Sequence, residues 1–199
     1  MKNGRYALTI KMFLQCSLAA LFLASCASGP KGPRHFYPSD MALSGYAKKE
    51  TRWVYEDKSV RVLVSPPGEE LAQEGSFAAE LAKKGYVLVR VDIENLSGKK
   101  IYYNPSLTTL TDDSMSYRKP LDYTDFFEMT REDPRMEKRL AAEKNRFYDT
   151  AANVPAGSSV SKSLVFAPLS KNAWSAEVQI KDIYIGTDTI SLRFPFKVR

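Results

Sequence analysis

The sequence predicts a mainly β domain, specifically a β-sandwich with a helical insertion. Residues 86–95 and 189–198 alternate apolar with polar side chains, which is the period of strands with one buried face. About seven such short runs, separated by turn residues, follow residue 51, as expected of a sandwich. Residues 121–150 interrupt this rhythm with helical spacing and predict the insertion.

The first 25 residues have the order of an export signal. Lys2, Arg5 and Lys11 precede a largely apolar run over residues 12–24, and no acid lies among them. A helix that spans a membrane needs about 20 apolar residues, so this shorter run is expected to be cleaved. Residues 1–25 are therefore interpreted as a signal peptide.

The cleavage site follows from Leu23-Ala24-Ser25-Cys26, which resembles the lipobox of bacterial lipoproteins. The resemblance implies cleavage between Ser25 and Cys26, acyl chains on Cys26 and a lipid-anchored place in the cell envelope. More than one acyl chain is needed for stable anchoring. By resemblance to enterobacterial sorting rules, Ala27 rather than Asp after the cysteine favours the outer membrane. The alternatives are an ordinary signal peptide with a chance cysteine, or an uncleaved anchor.

Composition excludes several classes of function. Removing 25 of 199 residues leaves 174, enough for one domain, and reduces the charge to 26 − 23 = +3, too little to indicate nucleic-acid binding. Cys16 leaves with the signal and Cys26 carries lipid, so no disulfide forms within the chain. His35 is the only histidine, which excludes Ser-His-Asp catalysis and multi-histidine metal sites.

The chain before the insertion is interpreted as a tether followed by short elements. Residues 26–50 are the lipidated cysteine and its tether, rich in Gly, Pro and Ser up to residue 40, and His35 is interpreted as a solvated part of it. Gly85 is placed to end a helix. The predicted elements are strands at 52–55 and 59–64, a helix at 69–84, a strand at 86–95, a turn at 95–100 with a returning strand at 101–104, and a hairpin of 107–110 with 114–118.

The insertion at 121–150 is expected to pack on one edge of a sheet. Residues 137–147 have helical spacing, and 123–132 form a less regular segment that Pro134 separates from it. The predicted elements after it are a turn at 154–157 and strands at 160–167, 175–185 and 189–198. Pro195 cannot donate to a strand ladder, so the last strand is expected at an edge or bulged.

Three segments together resemble the immunoglobulin-like, or telokin-like, domains of secreted and lipid-anchored bacterial proteins of unknown function. They are residues 89–95 with the following turn, residues 154–157 with the strand containing 164–166, and the alternating terminal strand. The resemblance spans residues 85–199 and implies an immunoglobulin-like β-sandwich in the cell envelope. It supplies no catalytic residues, and the 121–150 insertion departs from the compact pattern.

Carboxylates are the only candidates for metal or catalytic chemistry. Asp112 with Asp113, and the group Asp122, Asp125 and Glu128, offer the oxygen ligands that Ca²⁺ prefers, but neither has the spacing of a calcium loop. They are better interpreted as solvated turn acids. Two carboxylates also suffice for glycoside hydrolysis, yet no motif supports it. We therefore expect no enzyme activity, no metal and no cofactor.

Aromatic residues in and beside the insertion are the remaining signal. Tyr117, Tyr123, Phe126 and Phe127 form the candidate partner surface, because connecting segments often carry function and tyrosine is enriched at interfaces. The alternative is that these side chains seal the insertion against the sandwich. The predicted function is non-enzymatic binding or scaffolding of another envelope protein through residues 105–150. The alternative is binding of a carbohydrate, peptidoglycan fragment or metal, and an envelope hydrolase is a third reading.

Overall fold

Two antiparallel sheets dominate the computed structural model, which describes residues 34–66 and 75–199. The mainly β prediction is confirmed. The predicted signal, Ser25, Cys26 and residues 69–74 of the predicted first helix lie outside the described residues. The strands are β1 (Phe36–Pro38), β2 (Tyr46–Lys49), β3 (Arg52–Glu56), β4 (Val60–Ser65), β5 (Val87–Asn95), β6 (Ile101–Tyr103), β7 (Thr108–Asp112), β8 (Tyr117–Arg118), β9 (Ala152–Val154), β10 (Ser159–Phe166), β11 (Ser175–Ile185) and β12 (Asp188–Val198).

Three short α-helices accompany the sheets in the described part of the chain. They are α1 (Phe77–Lys83), α2 (Tyr123–Thr130) and α3 (Pro134–Glu143), with single 3₁₀ turns at Pro105–Leu107 and Lys144–Arg146. Gly85 follows α1 with φ +84°, the left-handed conformation that ends a helix, as predicted. Within the described residues, none of the helices combines the length and apolarity needed to cross a bilayer.

One sheet runs β1-β12-β11-β6-β9, with β7 pairing both β11 and β8, and the other runs β10-β5-β4-β3-β2. The alternation of the strands turns one face of each sheet towards a shared core, in the arrangement of a β-sandwich. Val62 and Val91 of one sheet and Val178 and Phe194 of the other are all fully buried there. The predicted hairpin of β7 and β8 is confirmed, since Leu110 pairs with Arg118.

The predicted tether is too long, because the fold already includes part of it. Phe36 of β1 pairs with Val198 of β12, and β2 pairs with β3, so the domain begins well before residue 51. His35 is exposed, as expected of a tether residue, but its backbone exchanges hydrogen bonds of 2.9 and 3.0 Å with Arg199. The segment around β1 has the composition of a linker, but pairing with the distant strand β12 holds it in the fold.

The returning strand predicted at 101–104 corresponds to β6, which does not pair with β5. β6 lies in the opposite sheet, where it pairs with β11 and β9. The buried Asn95 amide organises this crossing: it donates to Lys99 O at 2.7 Å and Val154 O at 2.9 Å, and its oxygen accepts the Ser97 N–H at 3.0 Å. The turn at 95–100 therefore connects the two sheets.

The last strand was predicted to be an edge strand or bulged, but β12 lies between β1 and β11, and Pro195 marks the point where its pairing with β1 ends. The pairing of β1 with β12 stops at Pro38 and Phe196, one residue short of Pro195. The Pro195 carbonyl accepts Ser39 N–H at 2.9 Å and Trp53 Nε1–H at 2.7 Å. Because proline has no N–H to return the Ser39 bond, the ladder between β1 and β12 ends at this position.

The insertion is attached to the edge of β10, which confirms the expectation that it packs on a sheet edge. Leu121 N donates to Val165 O at 2.7 Å where the insertion begins, and Tyr148 N donates to Ser163 O at 2.9 Å where it ends. Between these points α2 and α3, together with α1, cover the outer face of the five-stranded sheet. A second apolar cluster forms there, with Leu88 and Val165 from the sheet and the following residues from the helical layer: Phe77, Ala78, Leu81, Phe126, Met136 and Phe147.

Candidate functional site: a cleft between α2 and α3

The first turn of α2 fixes which aromatic side chains face outwards. The Asp122 carboxylate accepts the N–H of Thr124 at 2.8 Å and of Asp125 at 3.1 Å, while Asp125 Oδ2 accepts Asp122 N–H at 2.9 Å. This reciprocal capping box sets the start of the helix. Residues four apart share a helical face, so Tyr123 and Phe127 lie together and point away from the sheet.

Phe126 lies on the opposite, buried face of α2 and is 2% exposed. Its ring centroid is 5.9 Å from that of Phe77 and 5.6 Å from that of Phe147. Thr130, one turn later on the same face, donates its hydroxyl to Phe126 O at 3.0 Å. Phe126 is therefore a buried residue and not an exposed member of the predicted partner surface. It seals the insertion against the sheet, which was the alternative interpretation of these aromatics.

Helix α3 starts earlier than predicted, at Pro134 rather than at residue 137. The Asp133 carboxylate caps it by accepting the N–H of Arg135 at 3.0 Å and of Met136 at 3.2 Å, and proline suits the first helical position because no intrahelical acceptor is needed there. At the other end, Glu143 accepts the Phe77 N–H of α1 at 2.8 Å. The first contact defines where α3 begins, and the second ties its end to α1.

A cleft of about 210 Å³ lies between α2 and α3. Its buried base is formed by Phe126, Thr130 and Phe147. Tyr123 and Phe127 stand at its border and are 64% and 52% exposed. The remaining lining residues are Glu137, Leu140, Ala141, Lys144 and Asp149. The cleft therefore combines an apolar base, two exposed aromatic rings and three charged groups.

The charged groups of the cleft have both signs and are available to a ligand. Within the described residues, no salt bridge involves Glu137, Lys144 or Asp149. Their side chains can therefore pair with groups that enter the cleft without breaking an existing ion pair. A pocket with an apolar base and a few polar groups is the usual form of a binding site.

The predicted partner surface separates into three parts. Tyr123 and Phe127 come together at the border of the cleft, Phe126 forms part of its buried base, and Tyr117 is 57% exposed on β8, outside the lining residues. Sequence reasoning missed Leu140, Lys144 and Asp149 as cleft residues. The i, i+4 spacing of Tyr123 and Phe127 is the signal that a firm helix assignment would have revealed.

The carboxylates tested as calcium ligands are placed differently. Asp112 is buried and its oxygens accept the N–H groups of Ser114, Ser116 and Ser170 and pair with Arg118 at 3.0 Å, so it is not the solvated turn acid expected from the sequence. Asp122 caps α2. Within the described residues, no group of three or more His, Cys, Asp or Glu side chains is arranged to hold a metal ion.

Comparison with known proteins gives only partial structural likenesses. No family model matches the chain, and no curated protein matches it in sequence. Among solved structures, the yjhA protein of Bacillus subtilis has a TM-score of 0.39 at 13% identity, over 64% of this chain and 76% of that one. A Bacillus subtilis protein described as a candidate lipoprotein, ycdA, has a TM-score of 0.42 at 13% identity, over 72% of this chain and 38% of that one. These values assign no family.

Proposed function

We propose that this chain is an exported lipoprotein of the bacterial cell envelope whose domain is a non-enzymatic binding module for another envelope protein. Anchoring is assigned to Cys26, after the small residues of the lipobox, and Ala27 favours the outer membrane. The alternating strands and two antiparallel sheets support an immunoglobulin-like sandwich as the scaffold. The observation that carries the binding role is the α2–α3 cleft bordered by Tyr123 and Phe127.

The dimensions and chemistry of the cleft favour a partner's side chain as its occupant. Sites for whole small molecules usually measure about 300 to 1,000 Å³, which is larger than this cleft. A single apolar side chain, presented by a protein segment, requires less space and is buried between the Tyr123 and Phe127 rings. Aromatic residues at the centre of an interface contribute disproportionately to affinity.

The rim charges support recognition by fit and by local pairing. Glu137 and Asp149 are acidic and Lys144 is basic, so the rim has no dominant sign that attracts a partner from a distance. A segment with an apolar side chain flanked by charges of both signs matches this arrangement. The proposed partner is therefore an envelope protein that presents such a segment.

Binding of a small ligand is the second candidate, supported by the convergence of Glu137, Lys144 and Asp149 on one cleft. A carbohydrate or peptidoglycan fragment would place hydroxyl or amide groups against these charges. Its affinity for the isolated protein would be measurable by calorimetry, whereas the first candidate requires a protein partner.

Photocrosslinking in cells tests the proposed partner. A photoreactive residue replaces Phe127, and the matched control carries it at Tyr184, an exposed aromatic position on β11. We expect one envelope protein to be captured from position 127 and absent from position 184. Identical capture from both positions, or none from position 127 in a folded protein, would contradict the assignment of the cleft.

Lipidation is tested separately by the mass of the amino-terminal peptide. The expected peptide starts at Cys26 and carries acyl chains, and Cys26→Ala abolishes both the processing and the lipid. A mature peptide that starts elsewhere and lacks lipid would overturn the proposed anchor. The cleft proposal does not depend on this result.

A further inference from the structure

Two highly exposed apolar side chains lie at the end of the domain where the described chain begins. Met115 is 81% and Trp174 67% exposed, the highest values among the exposed large apolar residues of the described ranges. Asp113 connects them: its carboxylate accepts the Trp174 N–H at 3.0 Å, and Met115 lies two residues later in the turn between β7 and β8. The two side chains therefore belong to neighbouring loops.

The chain enters the fold beside these loops. Arg34 Nη1 donates to Ser170 O at 2.8 Å, and its Nη2 donates to Lys171 O at 2.5 Å, in the loop that leads to Trp174. The backbone of His35 is paired with that of Arg199. Val198, the residue before Arg199, donates its N–H to Trp174 O at 2.8 Å. These contacts place the first described residues next to the exposed tryptophan.

Three basic residues lie on the loop that contains Trp174 or on the segments that contact it. They are Arg34, Lys171 and Arg199. Within residues 34–66 and 75–199, none of the three forms a salt bridge with an acid. The Arg199 guanidinium lies 5.8 Å from the ring centroid of Tyr37, which is 43% exposed. The nearby Asp113 carboxylate accepts backbone N–H groups of Trp174 and Ser175. The region therefore carries a net positive charge.

We infer that this region, named the entry patch and defined as Arg34, Tyr37, Met115, Lys171, Trp174 and Arg199, docks on the anionic surface of the membrane that holds the lipid anchor. The inference rests on the proposed lipidation of Cys26. Arg34 is eight residues after Cys26, and a polypeptide of that length spans at most about 29 Å in any conformation. The entry patch is thus held within reach of the headgroups.

The composition of the entry patch suits a lipid interface. Tryptophan and tyrosine favour the headgroup level because each combines an apolar ring with a polar group. Lysine and arginine near a membrane are attracted by anionic lipids. Docking would add a weak contact to the lipid anchor and restrict the orientation of the domain on the membrane.

The test uses the full lipidated chain, reconstituted into vesicles of phosphatidylethanolamine and phosphatidylglycerol with either ordinary or brominated acyl chains. Bromine quenches tryptophan on contact. The chain has two tryptophans, and Trp53 is 1% exposed, so Trp174 reports the contact. We expect lower emission in brominated vesicles and loss of this difference in Trp174→Phe. The matched control combines Trp174→Phe with Tyr123→Trp, which moves the exposed tryptophan to α2 and should abolish quenching.

The outcomes separate the entry patch from the anchor. Equal emission in the two kinds of vesicle, with the protein still floating with the vesicles, would overturn docking and leave the anchor in place. A chain that carries no lipid by mass and does not float would overturn the anchor and docking together. Equal quenching at positions 123 and 174 would also overturn docking, because it would show that the domain contacts the membrane through no particular face.

Discussion

Replacing the buried Asp112 with asparagine is expected to cost about 3 to 5 kcal/mol of unfolding free energy at pH 7. The side chain is buried, and one oxygen accepts the N–H of Ser114 at 3.1 Å and of Ser116 at 3.2 Å. The other accepts the N–H of Ser170 at 2.9 Å and lies 3.0 Å from Arg118 Nη2. Asp112 thus joins the β7–β8 turn to the loop that precedes β11.

The expected loss of unfolding free energy follows from the hydrogen-bond donors that surround both carboxylate oxygens of Asp112. Asparagine has the same shape, but one of its two terminal atoms becomes a donor and faces an N–H group or the Arg118 guanidinium in either orientation. Hydrogen bonds to a charged group each contribute about 1.5 to 3 kcal/mol. The Arg118 side chain is only 11% exposed, so it would also lose its counterion in a poorly solvated position.

The pH dependence of stability provides an independent measure. Burial alone raises the pKa of the Asp112 carboxyl, but hydrogen bonds from Ser114, Ser170 and Ser116 outweigh burial and hold this pKa well below its usual range. The unfolded chain, with an aspartate pKa of about 3.9, therefore binds more protons in acid. The stabilisation is complete above this unfolded pKa and is lost as pH falls towards the lower folded pKa. The difference between wild type and Asp112→Asn should therefore narrow below about pH 4.

Urea unfolding of a soluble form that begins at Ala27, followed by circular dichroism at pH 7 and pH 3, measures both effects. The matched control is Asp113→Asn, because Asp113 is exposed and accepts the Trp174 and Ser175 N–H groups through a single oxygen, which asparagine retains. We expect this control to change the unfolding free energy by less than about 1 kcal/mol. An equally small effect of Asp112→Asn at pH 7, or a difference that does not narrow in acid, would refute the reasoning.

Four further substitutions test the fold and the cleft. Asn95→Ala is expected to cost about 2 to 4 kcal/mol in the same titration, since two carbonyls lose their donor, and a cost below about 1 kcal/mol would contradict this role. Phe126→Ala should cost about 3 to 5 kcal/mol, whereas Phe127→Ala should change stability by less than about 0.5 kcal/mol. Equal costs would show that the burial assignment is wrong. Glu143→Ala should lower Tm by about 2 to 4 °C because Phe77 N–H loses its acceptor, and an unchanged Tm would exclude that contact.

The long strands were predictable because their periodicity is local. The alternation in β12 extends over a whole strand and tolerates Pro195, which lies where β1 no longer pairs. The observed bounds of β11 match residues 175–185 as predicted. In a strand buried on one face, apolar and polar residues alternate, so its own sequence is enough to predict it.

Short strands and sheet crossings were not predictable, because they depend on distant partners. β1 has three residues, too few to show a period, and it pairs with β12 at the other end of the described chain. The turn after β5 contains Ser97-Gly98, which is typical of a hairpin. The buried Asn95 amide instead binds a carbonyl of the β9 segment and directs the chain to the opposite sheet. Neither partner is visible from local residue types.

The sequence predicts which region carries the candidate surface, but not which of its aromatic side chains face outwards. Pro134 left the helical state of residues 123–130 uncertain, and without a helix the adjacent Phe126 and Phe127 cannot be told apart. The capping box at Asp122 fixes the phase and turns the two rings to opposite sides. The aromatic residue types therefore predict the region, and the helix geometry is needed to assign each side chain to the buried or the exposed face.

This division within α2 also bears on function. Phe126, with Phe77 and Phe147, is enough to attach the insertion to the sheet, since these three rings contact one another and are buried. Stability gives no reason for Tyr123 and Phe127 to be aromatic, because more than half of each side chain remains exposed. Single exposed aromatics are common on protein surfaces, but two on one helical face beside an apolar cleft form a continuous patch of the kind found at interfaces. A variant with Tyr123→Ser and Phe127→Ser should therefore fold normally and lose only its partner.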